Sequence, residues 1–140
     1  MSGFVLPTFT NKITETTKRY LKATNNLKED SIFIVVNAPD HWYGIGYKNE
    51  NIQVFDSVKK GKKSYNENIK KVKKILDFGK RKYGNDFTVM DVPQQNDRVS
   101  CGVFLCYFCE CFLQNKKIDN NFQQQSYREK ILQYFNNLNK

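Results

Sequence analysis

Two neighbouring stretches of the chain show the alternation that a half-buried strand requires. The first is HWYGIGYK, His41–Lys48, and the second is IQVFD, Ile52–Asp56. In each stretch, residues two apart share a character, so one face of the strand differs from the other. The polar residues Asn49–Asn51 between them predict the turn of a β-hairpin. The short β-branched run SIFIVVN, Ser31–Asn37, predicts a buried strand before the hairpin.

Three longer segments have the features of helices. The segment Ser64–Gly79 carries an apolar stripe at helical spacing, with Ser64 and Glu67 placed as a capping box and a glycine at its end. The segment Cys101–Leu113 is apolar in almost every direction, which predicts a helix buried in the middle of the domain. The segment SYREKILQYFNNL, which starts at Ser126, is amphipathic and predicts a helix that covers the sheet.

The remaining segments complete an α+β pattern. Residues 1–30 are expected to be polar and helical around Ile13–Leu21, and Asp86–Val92 is expected to be a strand that Pro93 ends. The predicted order is helix, three strands, helix, strand, central helix, helix. This order indicates an α+β fold, in which helices pack on a small central β-sheet. Without repeats or a Pro/Gly-rich linker, we expect residues 1–140 to form one domain.

Composition narrows the class of protein. The chain has 140 residues, of which 39% are hydrophobic, enough for one modest core. No apolar run approaches the length of a transmembrane helix, and the start MSGFVLPTFTNK lacks the features of a secretory signal. We therefore expect a soluble intracellular protein of the cytoplasm or nucleus, or of a virion or host cell if it is viral or an effector.

All four cysteines fall within eleven residues of each other: Cys101, Cys106, Cys109 and Cys111. A disulfide scaffold spreads its cysteines along the chain, and on a helix these four would not converge on one tetrahedral metal. Reduced thiols are the simpler interpretation. The last three are expected to be small core residues, whereas Cys101 follows a polar loop and opens the helix.

The net charge of +9 has one source, the basic patch Lys59–Lys82, which holds eleven basic residues against two acidic ones. The rest of the chain sums to zero. A patch of this kind either contacts phosphates of a nucleic acid or is a solvated helix face, and the sequence does not decide between them.

Chemistry is suggested by the position of Cys101. The first turn of a helix offers backbone N–H groups and a positive dipole end, which favour a reactive thiolate. A thiol nucleophile needs a base, and the chain has one histidine, His41. Asp56 ends the adjacent predicted strand, where it could orient the imidazole. Gln95 could donate to an oxyanion, although Gln94 is an equal candidate by composition.

These residues resemble a known family. HW opening a strand, DS closing the next, a PQQ loop and CG opening a helix are similar to the ubiquitin-like-protein-specific (SUMO/deSUMOylase-type) cysteine proteases, which are related to the adenoviral maturation protease. The resemblance implies a minimal papain-like or adenain-like core. It assigns His41 as general base, Asp56 as its orienting acid, Cys101 as nucleophile and Gln95 as oxyanion donor. Trp42 would wall a narrow tunnel for a Gly-Gly tail.

The resemblance also implies partners and reaction. The substrate would be a ubiquitin-like protein, with SUMO favoured over ubiquitin, released from conjugates or precursors without metal or organic cofactor. Two positions depart from the family pattern: Ser100 replaces the usual aspartate before the cysteine, and Asp97 replaces the usual asparagine. The upstream tryptophan segment of the family is not found in this sequence, which leaves substrate recognition open.

Other functions remain open at this stage. A viral-type protease would cut structural precursors with nucleic acid as a helper, bound through Lys59–Lys82. A basic binding module with a degenerate protease fold would not turn over substrate at all. An acetyl-transferring effector of the same clan is a further alternative, although no segment resembles its cofactor-binding part.

Overall fold

The computed structural model describes residues 3–9, 31–38, 41–98 and 100–138. Their regular elements follow in chain order. The strands are β1 Gly3–Phe9, β2 Ser31–Ala38, β3 His41–Lys48, β4 Asn51–Phe55 and β5 Phe87–Val89. The helices are α1 Asn66–Phe78, preceded by a 3-10 turn at Lys62–Tyr65, then α2 Cys101–Gln114 and α3 Gln124–Leu138. In this part of the chain, no helix is long and apolar enough to cross a membrane.

The five strands form one mixed sheet in the order β1-β2-β3-β4-β5. The outer pairs, β1 with β2 and β4 with β5, are parallel, whereas β2, β3 and β4 are joined in antiparallel pairs. The predicted hairpin between β3 and β4 is confirmed. Asn49 and Glu50 form its two-residue turn with φ of 52° and 66°, the left-handed values that tight hairpins require.

The two faces of the sheet differ in chemistry. One face carries the aliphatic residues Ile34, Ile45 and Val54, which form a core with the buried stripe of α1. The other face carries Phe33 and Phe55, which form an aromatic core with buried phenylalanines of α2. The alternation along β2, β3 and β4 therefore sorts side chains between two helices on opposite sides of the sheet, and the α+β fold is confirmed.

Glycines on β3 allow α2 to approach the sheet closely. A Cβ atom built on Gly46 would lie 2.6 Å from Cε2 of Phe112 on α2, closer than real Cβ atoms come to other atoms. The Phe112 ring also packs against Phe33 and Phe55, with ring centroids 5.6 Å away in both cases. Residues without a side chain on this face of β3 thus set the distance between the sheet and α2.

Several expectations about elements need correction. Residues 3–9 form a strand and not part of a helix, because they pair in parallel with β2; the helix expected around Ile13–Leu21 lies outside the described residues. The strand expected at Asp86–Val92 spans only Phe87–Val89, where pairing with β4 ends.

The capping box predicted at Ser64 and Glu67 is also wrong. Helix α1 starts two residues after Ser64, and no side chain caps it. The hydroxyl of Ser64 instead donates to the carbonyl of Gly61, 2.6 Å away, within the preceding 3-10 turn. The prediction that Gly79 ends the helix is confirmed, since Gly79 is its C-cap residue.

The last helix does not cover the sheet. Helix α3 has no buried residue, and its contacts are made with α2 and the loop before it. Tyr127 on α3 donates to Glu110 on α2 over 2.6 Å, and Lys130 reaches the same carboxylate at 3.2 Å. Its amphipathic pattern therefore reflects packing along another helix, with Leu132 and Phe135 left mostly exposed.

Candidate active site

The single histidine of the chain lies at the start of β3, next to the connection from β2. Its backbone pairs with Ala38, and its side chain is only 9% exposed. The ring nitrogen Nε2 contacts Oδ1 of Asp56. On its other side the ring stacks against Tyr43, with centroids 6.0 Å apart and planes tilted by 19°. The imidazole is thus fixed by a carboxylate and by an aromatic ring.

Asp56 follows β4 directly and is 1% exposed. A carboxylate this buried is tolerated only when its oxygens are hydrogen-bonded. The backbone N–H of Val58 donates to Oδ1 over 2.8 Å, and the hydroxyl of Tyr65 donates to Oδ2 over 2.7 Å. Together with the imidazole of His41, these donors satisfy both oxygens and hold the acid in one orientation.

Tyr65 is a residue of this site that sequence reasoning missed. It ends the 3-10 turn before α1, is 2% exposed, and its hydroxyl also accepts from the backbone N–H of Lys60 over 2.9 Å. Burial raises the pKa of Tyr65 well above its ordinary value, with the hydrogen bond to Asp56 adding to the shift. The phenol therefore stays protonated and remains a donor to the carboxylate. The only signal in the sequence was an aromatic residue among lysines.

The two glutamines of the PQQ loop make different contacts. The two N–H groups of the Gln94 amide donate to the backbone carbonyls of Asp56 and Val92, over 2.9 and 3.0 Å. Its oxygen accepts from the backbone N–H of Lys59 over 2.7 Å. Gln94 is therefore a structural brace between the loop and the end of β4.

Gln95 is attached to the same strand end but uses fewer of its donors. Its backbone N–H donates to the carbonyl of Ser57 over 2.9 Å, and its amide oxygen accepts from the Ser57 hydroxyl. Its amide nitrogen donates to the carbonyl of Asp97 over 2.8 Å. An amide NH₂ group has two N–H donors, so these contacts occupy one and leave the second for another acceptor. This difference separates the two glutamines, which composition could not.

Cys101 is the first residue of α2 and is partly exposed. The residue before it, Ser100, is 1% exposed, and its carbonyl accepts from the backbone N–H groups of Val103 and Phe104 at 3.0 and 3.2 Å. The helix therefore begins at a buried, hydrogen-bonded residue. As the sequence predicted, the nucleophile candidate stands at the junction between a polar loop and the helix.

Asp97 and Ser100, the two positions that depart from the family pattern, contact each other. The carboxylate of Asp97 accepts from the backbone N–H of Ser100 over 2.8 Å and from its hydroxyl over 2.6 Å. An acidic group therefore lies next to position 100, on Asp97. The serine at position 100 offers a hydroxyl donor to that carboxylate.

Gly102, the residue after the candidate nucleophile, lines one cavity together with Trp42, the residue after His41. The cavity measures about 600 Å³ and is mostly apolar, with Val35, Leu105 and Leu113 among its walls. The side chain of Trp42 is 36% exposed. Apart from its chain neighbours and the backbone of its own helix, no described atom lies within 4 Å of a Cβ built on Gly102, so open space adjoins the start of α2. The cavity therefore extends from Trp42, next to His41 in the sequence, to Gly102, next to Cys101 in the sequence.

The other cysteines were expected to be core residues, and this is correct only for Cys111, which is buried. Cys106 is exposed, and Cys109 is partly exposed while it packs against the aromatic core. Both line the cavity that also contains Val35 and Trp42. Burial raises the pKa of Cys106, and it raises the pKa of Cys109 to about 12, with the neighbouring Cys106 contributing. Both therefore remain protonated thiols near neutral pH.

Within the described residues, the contacts join His41 directly to Asp56 and join Gln95 to Ser57, the residue after that acid. They do not join Cys101 directly to His41. The connection between them is indirect: Gln95 of the PQQ loop donates to Asp97, and Asp97 accepts from Ser100, the residue before Cys101. In a protein without bound substrate, catalytic hydrogen bonds are often long or incomplete.

An oriented imidazole, a buried carboxylate and a cysteine at the start of a helix are the parts of a cysteine peptidase site. A model of the Ulp1 protease family, C-terminal catalytic domain, matches residues 5–138. The chain therefore belongs to the Ulp1 protease family, and the predicted resemblance to that family is confirmed. No curated protein sequence matches the chain significantly.

Solved structures show the same fold at low sequence identity. A SUMO protease Ulp1 with its catalytic cysteine oxidized to a sulfinic acid is 20% identical, with a TM-score of 0.67 over 89% of this chain. The Ulp1-like SUMO protease catalytic domain of Chaetomium thermophilum is 18% identical, with a TM-score of 0.54 over 73% of this chain. The Xanthomonas campestris effector XopD bound to ubiquitin is 15% identical, with a TM-score of 0.56 over 86%.

The chain is shorter than these proteins. It covers 64% of the Ulp1 chain, 42% of the Chaetomium chain and 70% of the XopD chain. The family model covers residues 5–138, which include strands β2–β5 and the helix α2 that carry the candidate site. The fold shared with these structures is therefore the part of the molecule on which a functional proposal can rest.

Proposed function

We propose that residues 1–140 form one catalytic domain, a cysteine protease that cleaves after the Gly-Gly-type tail of a ubiquitin-like protein. The observation that supports this most is the buried pair of His41 and Asp56, since the only histidine of the chain contacts a carboxylate that is 1% exposed. A surface histidine has no need of such a partner. In a thiol protease this pair is what activates the nucleophile.

In the proposed reaction, His41 takes the proton of the Cys101 thiol, and the sulfur attacks the carbonyl carbon at the end of the tail. The tetrahedral intermediate collapses when the leaving amine receives that proton from His41, which leaves a thioester on Cys101. A water molecule, deprotonated by His41, then hydrolyses the thioester and restores the thiol. The carboxylate of Asp56 stabilises the imidazolium formed in both steps.

The oxyanion of the intermediate needs preorganised donors. We assign this role to the side chain of Gln95 and the backbone N–H of Cys101. Gln95 fits because its amide is held by Ser57 and Asp97 while one of its two N–H donors is not used by those contacts. Gln94 does not fit, since both of its donors brace backbone carbonyls.

The tail of the substrate would pass along Trp42 and Gly102, where the cavity of about 600 Å³ adjoins the start of α2. A tail without side chains suits a narrow passage beside an aromatic wall. SUMO is the favoured tag because two of the three structures described above are SUMO proteases. Ubiquitin is the alternative, since the third is bound to ubiquitin.

The basic patch Lys59–Lys82 supports a second candidate function, nucleic-acid-assisted processing of precursor proteins. Helix α1 buries its apolar stripe against the sheet, and Lys63, Lys70 and Lys74 are exposed on its outer surface or just before it. Phosphate contact by such lysines would make binding to arbitrary DNA fall steeply with salt. Binding that does not change with salt would leave the patch as a solvated surface.

The experiment that tests the main proposal uses SUMO and ubiquitin with a thiol-reactive group at the C-terminal glycine. Each probe is incubated with the wild-type chain, with Cys101→Ser and with Cys106→Ser, and the adduct mass is read. Cys106 is the matched control because it is an exposed thiol on the same helix. We expect an adduct on wild type and on Cys106→Ser, and none on Cys101→Ser. The probe that reacts, SUMO or ubiquitin, then identifies the ubiquitin-like protein that the chain recognises.

An adduct that persists in Cys101→Ser would place the reactive thiol elsewhere and overturn the assignment. No adduct with either probe would exclude these tags as substrates. Selective labelling of Cys101 by a small thiol reagent in that case would favour the precursor-processing alternative, which DNA-stimulated peptide cleavage then tests. Without selective labelling, a catalytically weak binding module would remain.

A further inference from the structure

We propose that Arg128, on helix α3, is a positioning residue for the nucleophile and acts on it through Ser100. This inference rests on the proposed function, in which Cys101 is the nucleophile. Nη2 of Arg128 donates to the hydroxyl oxygen of Ser100 over 3.0 Å. Ser100 is 1% exposed and directly precedes Cys101.

The hydroxyl of Ser100 is the centre of a small network. It donates to Oδ2 of Asp97 while accepting from Arg128, so both of its hydrogen-bonding roles are used. The backbone N–H of Ser100 donates to Oδ1 of the same aspartate. Gln124, one turn before Arg128 on α3, reaches Oδ2 at 3.4 Å. We call Asp97, Ser100, Gln124 and Arg128 the clasp.

The clasp holds the residue from which α2 starts. The carbonyl of Ser100 accepts from the N–H groups of Val103 and Phe104, in the first turn of α2. With its N–H, hydroxyl and carbonyl all bonded, Ser100 has little freedom to rotate, and the backbone of Cys101 inherits that constraint. Positioning of this kind matters because a displacement of about 1 Å at a reacting atom costs on the order of a hundredfold in rate.

Helix α3 makes separate contacts that hold it in place without the clasp. Tyr127 and Lys130 bind Glu110 on α2, and the Tyr127 ring packs against Tyr107 on α2, with centroids 5.6 Å apart. Helix attachment and nucleophile positioning are therefore carried by different residues of one short segment. This division provides a matched pair of variants, Arg128→Gln in the clasp and Lys130→Gln outside it.

The clasp also connects the two donors of the proposed oxyanion site. The carbonyl of Asp97 accepts from the amide of Gln95, while the carboxylate of Asp97 holds Ser100. A shift of Asp97 would therefore move Gln95 and the N–H of Cys101 together. Loss of the Arg128 contact is expected to act on the chemical step more than on substrate binding.

The test compares wild type, Arg128→Gln, Arg128→Lys and Lys130→Gln in hydrolysis of a fluorogenic C-terminal amide of SUMO and of ubiquitin. We expect Arg128→Gln to lower kcat by roughly tenfold, within the range for a misplaced reacting group, with KM unchanged. Arg128→Lys should recover much of that loss because it restores a cationic donor, and Lys130→Gln should keep wild-type kcat. Equal kcat losses in Arg128→Gln and Lys130→Gln would overturn the proposal, since they would reflect helix attachment alone.

Ser100→Ala provides a second variant if Arg128→Gln folds poorly. It removes the hydroxyl that Arg128 binds, so we expect a similar loss of kcat, and no further loss when both changes are combined. Additive losses in the double variant would show that the two residues act independently, against the clasp.

A readout without substrate separates this inference from the proposed function. The rate at which iodoacetamide alkylates Cys101 is measured by peptide mass spectrometry in the same variants, with Cys106 as internal reference. We expect slower alkylation of Cys101 in Arg128→Gln, by at least threefold, and unchanged alkylation of Cys106. If wild type cleaves no tag but this difference is found, the positioning role stands while the proposed substrate fails. Equal alkylation of Cys101 in Arg128→Gln and wild type would refute the clasp.

Discussion

The two halves of the candidate site are built in different ways. His41 and Asp56 lie at the ends of β3 and β4, whose positions follow from the backbone ladder of the sheet. Cys101 and Gln95 depend on the irregular segment 94–100, held by side-chain hydrogen bonds from Asp97 and Ser100. The position of a strand in a sheet is fixed by many backbone hydrogen bonds, whereas the position of a loop is fixed by a few contacts. The acid–base half should therefore tolerate substitution around it better than the nucleophile half.

The largest effect is expected within the acid–base half itself. Asp56→Asn keeps the shape of the side chain but removes the charge that stabilises the imidazolium of His41. We expect kcat to fall by roughly a thousandfold or more, as when the orienting acid of a triad is neutralised. Steady-state kinetics with circular dichroism checks this, and wild-type kinetics in a folded variant would remove Asp56 from the mechanism.

Gln95→Ala and Gln94→Ala compare a chemical residue with a structural one in the same loop. Loss of one oxyanion donor should lower kcat by roughly ten- to a thousandfold, so we expect this for Gln95→Ala. Gln94→Ala should mainly lower the free energy of unfolding, because Gln94 bonds the backbone of Asp56, Val92 and Lys59. The reverse result, with kcat more sensitive to Gln94, would exchange their roles.

Gly46→Ala moves the nucleophile half without touching either set of candidate residues. The new methyl group would lie 2.6 Å from the Phe112 ring, so α2 must shift away from β3. We expect a loss of about 1–3 kcal/mol in the free energy of unfolding, the usual cost of overpacking, with a fall in kcat.

Gly61→Ala is the matched control, because no described atom other than those of its chain neighbours lies within 4 Å of a Cβ there. Urea unfolding and kinetics are measured on both variants. If the two glycine variants are equally stable, the close approach of α2 to the sheet does not depend on Gly46.

The smallest effect is expected at the contact between α2 and α3. The hydrogen bond from Tyr127 lowers the pKa of Glu110, and the hydrogen bond from Lys130 lowers it further. Burial of the carboxyl opposes this shift by raising the pKa. A carboxyl whose pKa is lower in the folded than in the unfolded protein stabilises the fold above the unfolded pKa, and this stability is lost as pH falls through the folded pKa. The expected contribution is a few tenths of a kcal/mol, since the group is partly exposed.

The contribution of Glu110 is measured from the midpoints of urea unfolding of wild type and Glu110→Gln, at pH 7 and at about pH 3. Wild type should lose more stability over that interval than Glu110→Gln does. An equal loss in both proteins would assign the acid sensitivity to other carboxyls.

The sequence predicted the sheet and α2 well, and the reason is local. Alternation along β3 and β4, with polar residues between them, admits few structures besides a hairpin. The unbroken apolar run after Cys101 has no stable place except against a core. By contrast, the N-terminal strand β1 was missed, because a strand that pairs in parallel with β2 depends on a partner more than twenty residues away.

The same distinction applies to individual residues of the site. His41, Asp56 and Cys101 are recognisable because their residue types are rare or sharply placed in this sequence. Tyr65 was not, because its role depends on the position of Asp56 after folding. Gln94 and Gln95 were indistinguishable until their hydrogen-bond partners were known. Cys106 was assigned to the core because the run after Cys101 is apolar in almost every direction, so periodicity does not tell which of its residues stay exposed.

The amino-acid sequence by itself determined the family of this protein and the residues of its candidate chemistry, because a motif in a fixed order does not require coordinates. Tertiary structure decided how those residues are held. Tyr65 donates to the buried Asp56, and Arg128 on α3 donates to Ser100 at the start of α2. Asp97 in turn accepts from the hydroxyl of Ser100. Such contacts are set by the packing of helices on the sheet, and no local pattern encodes them.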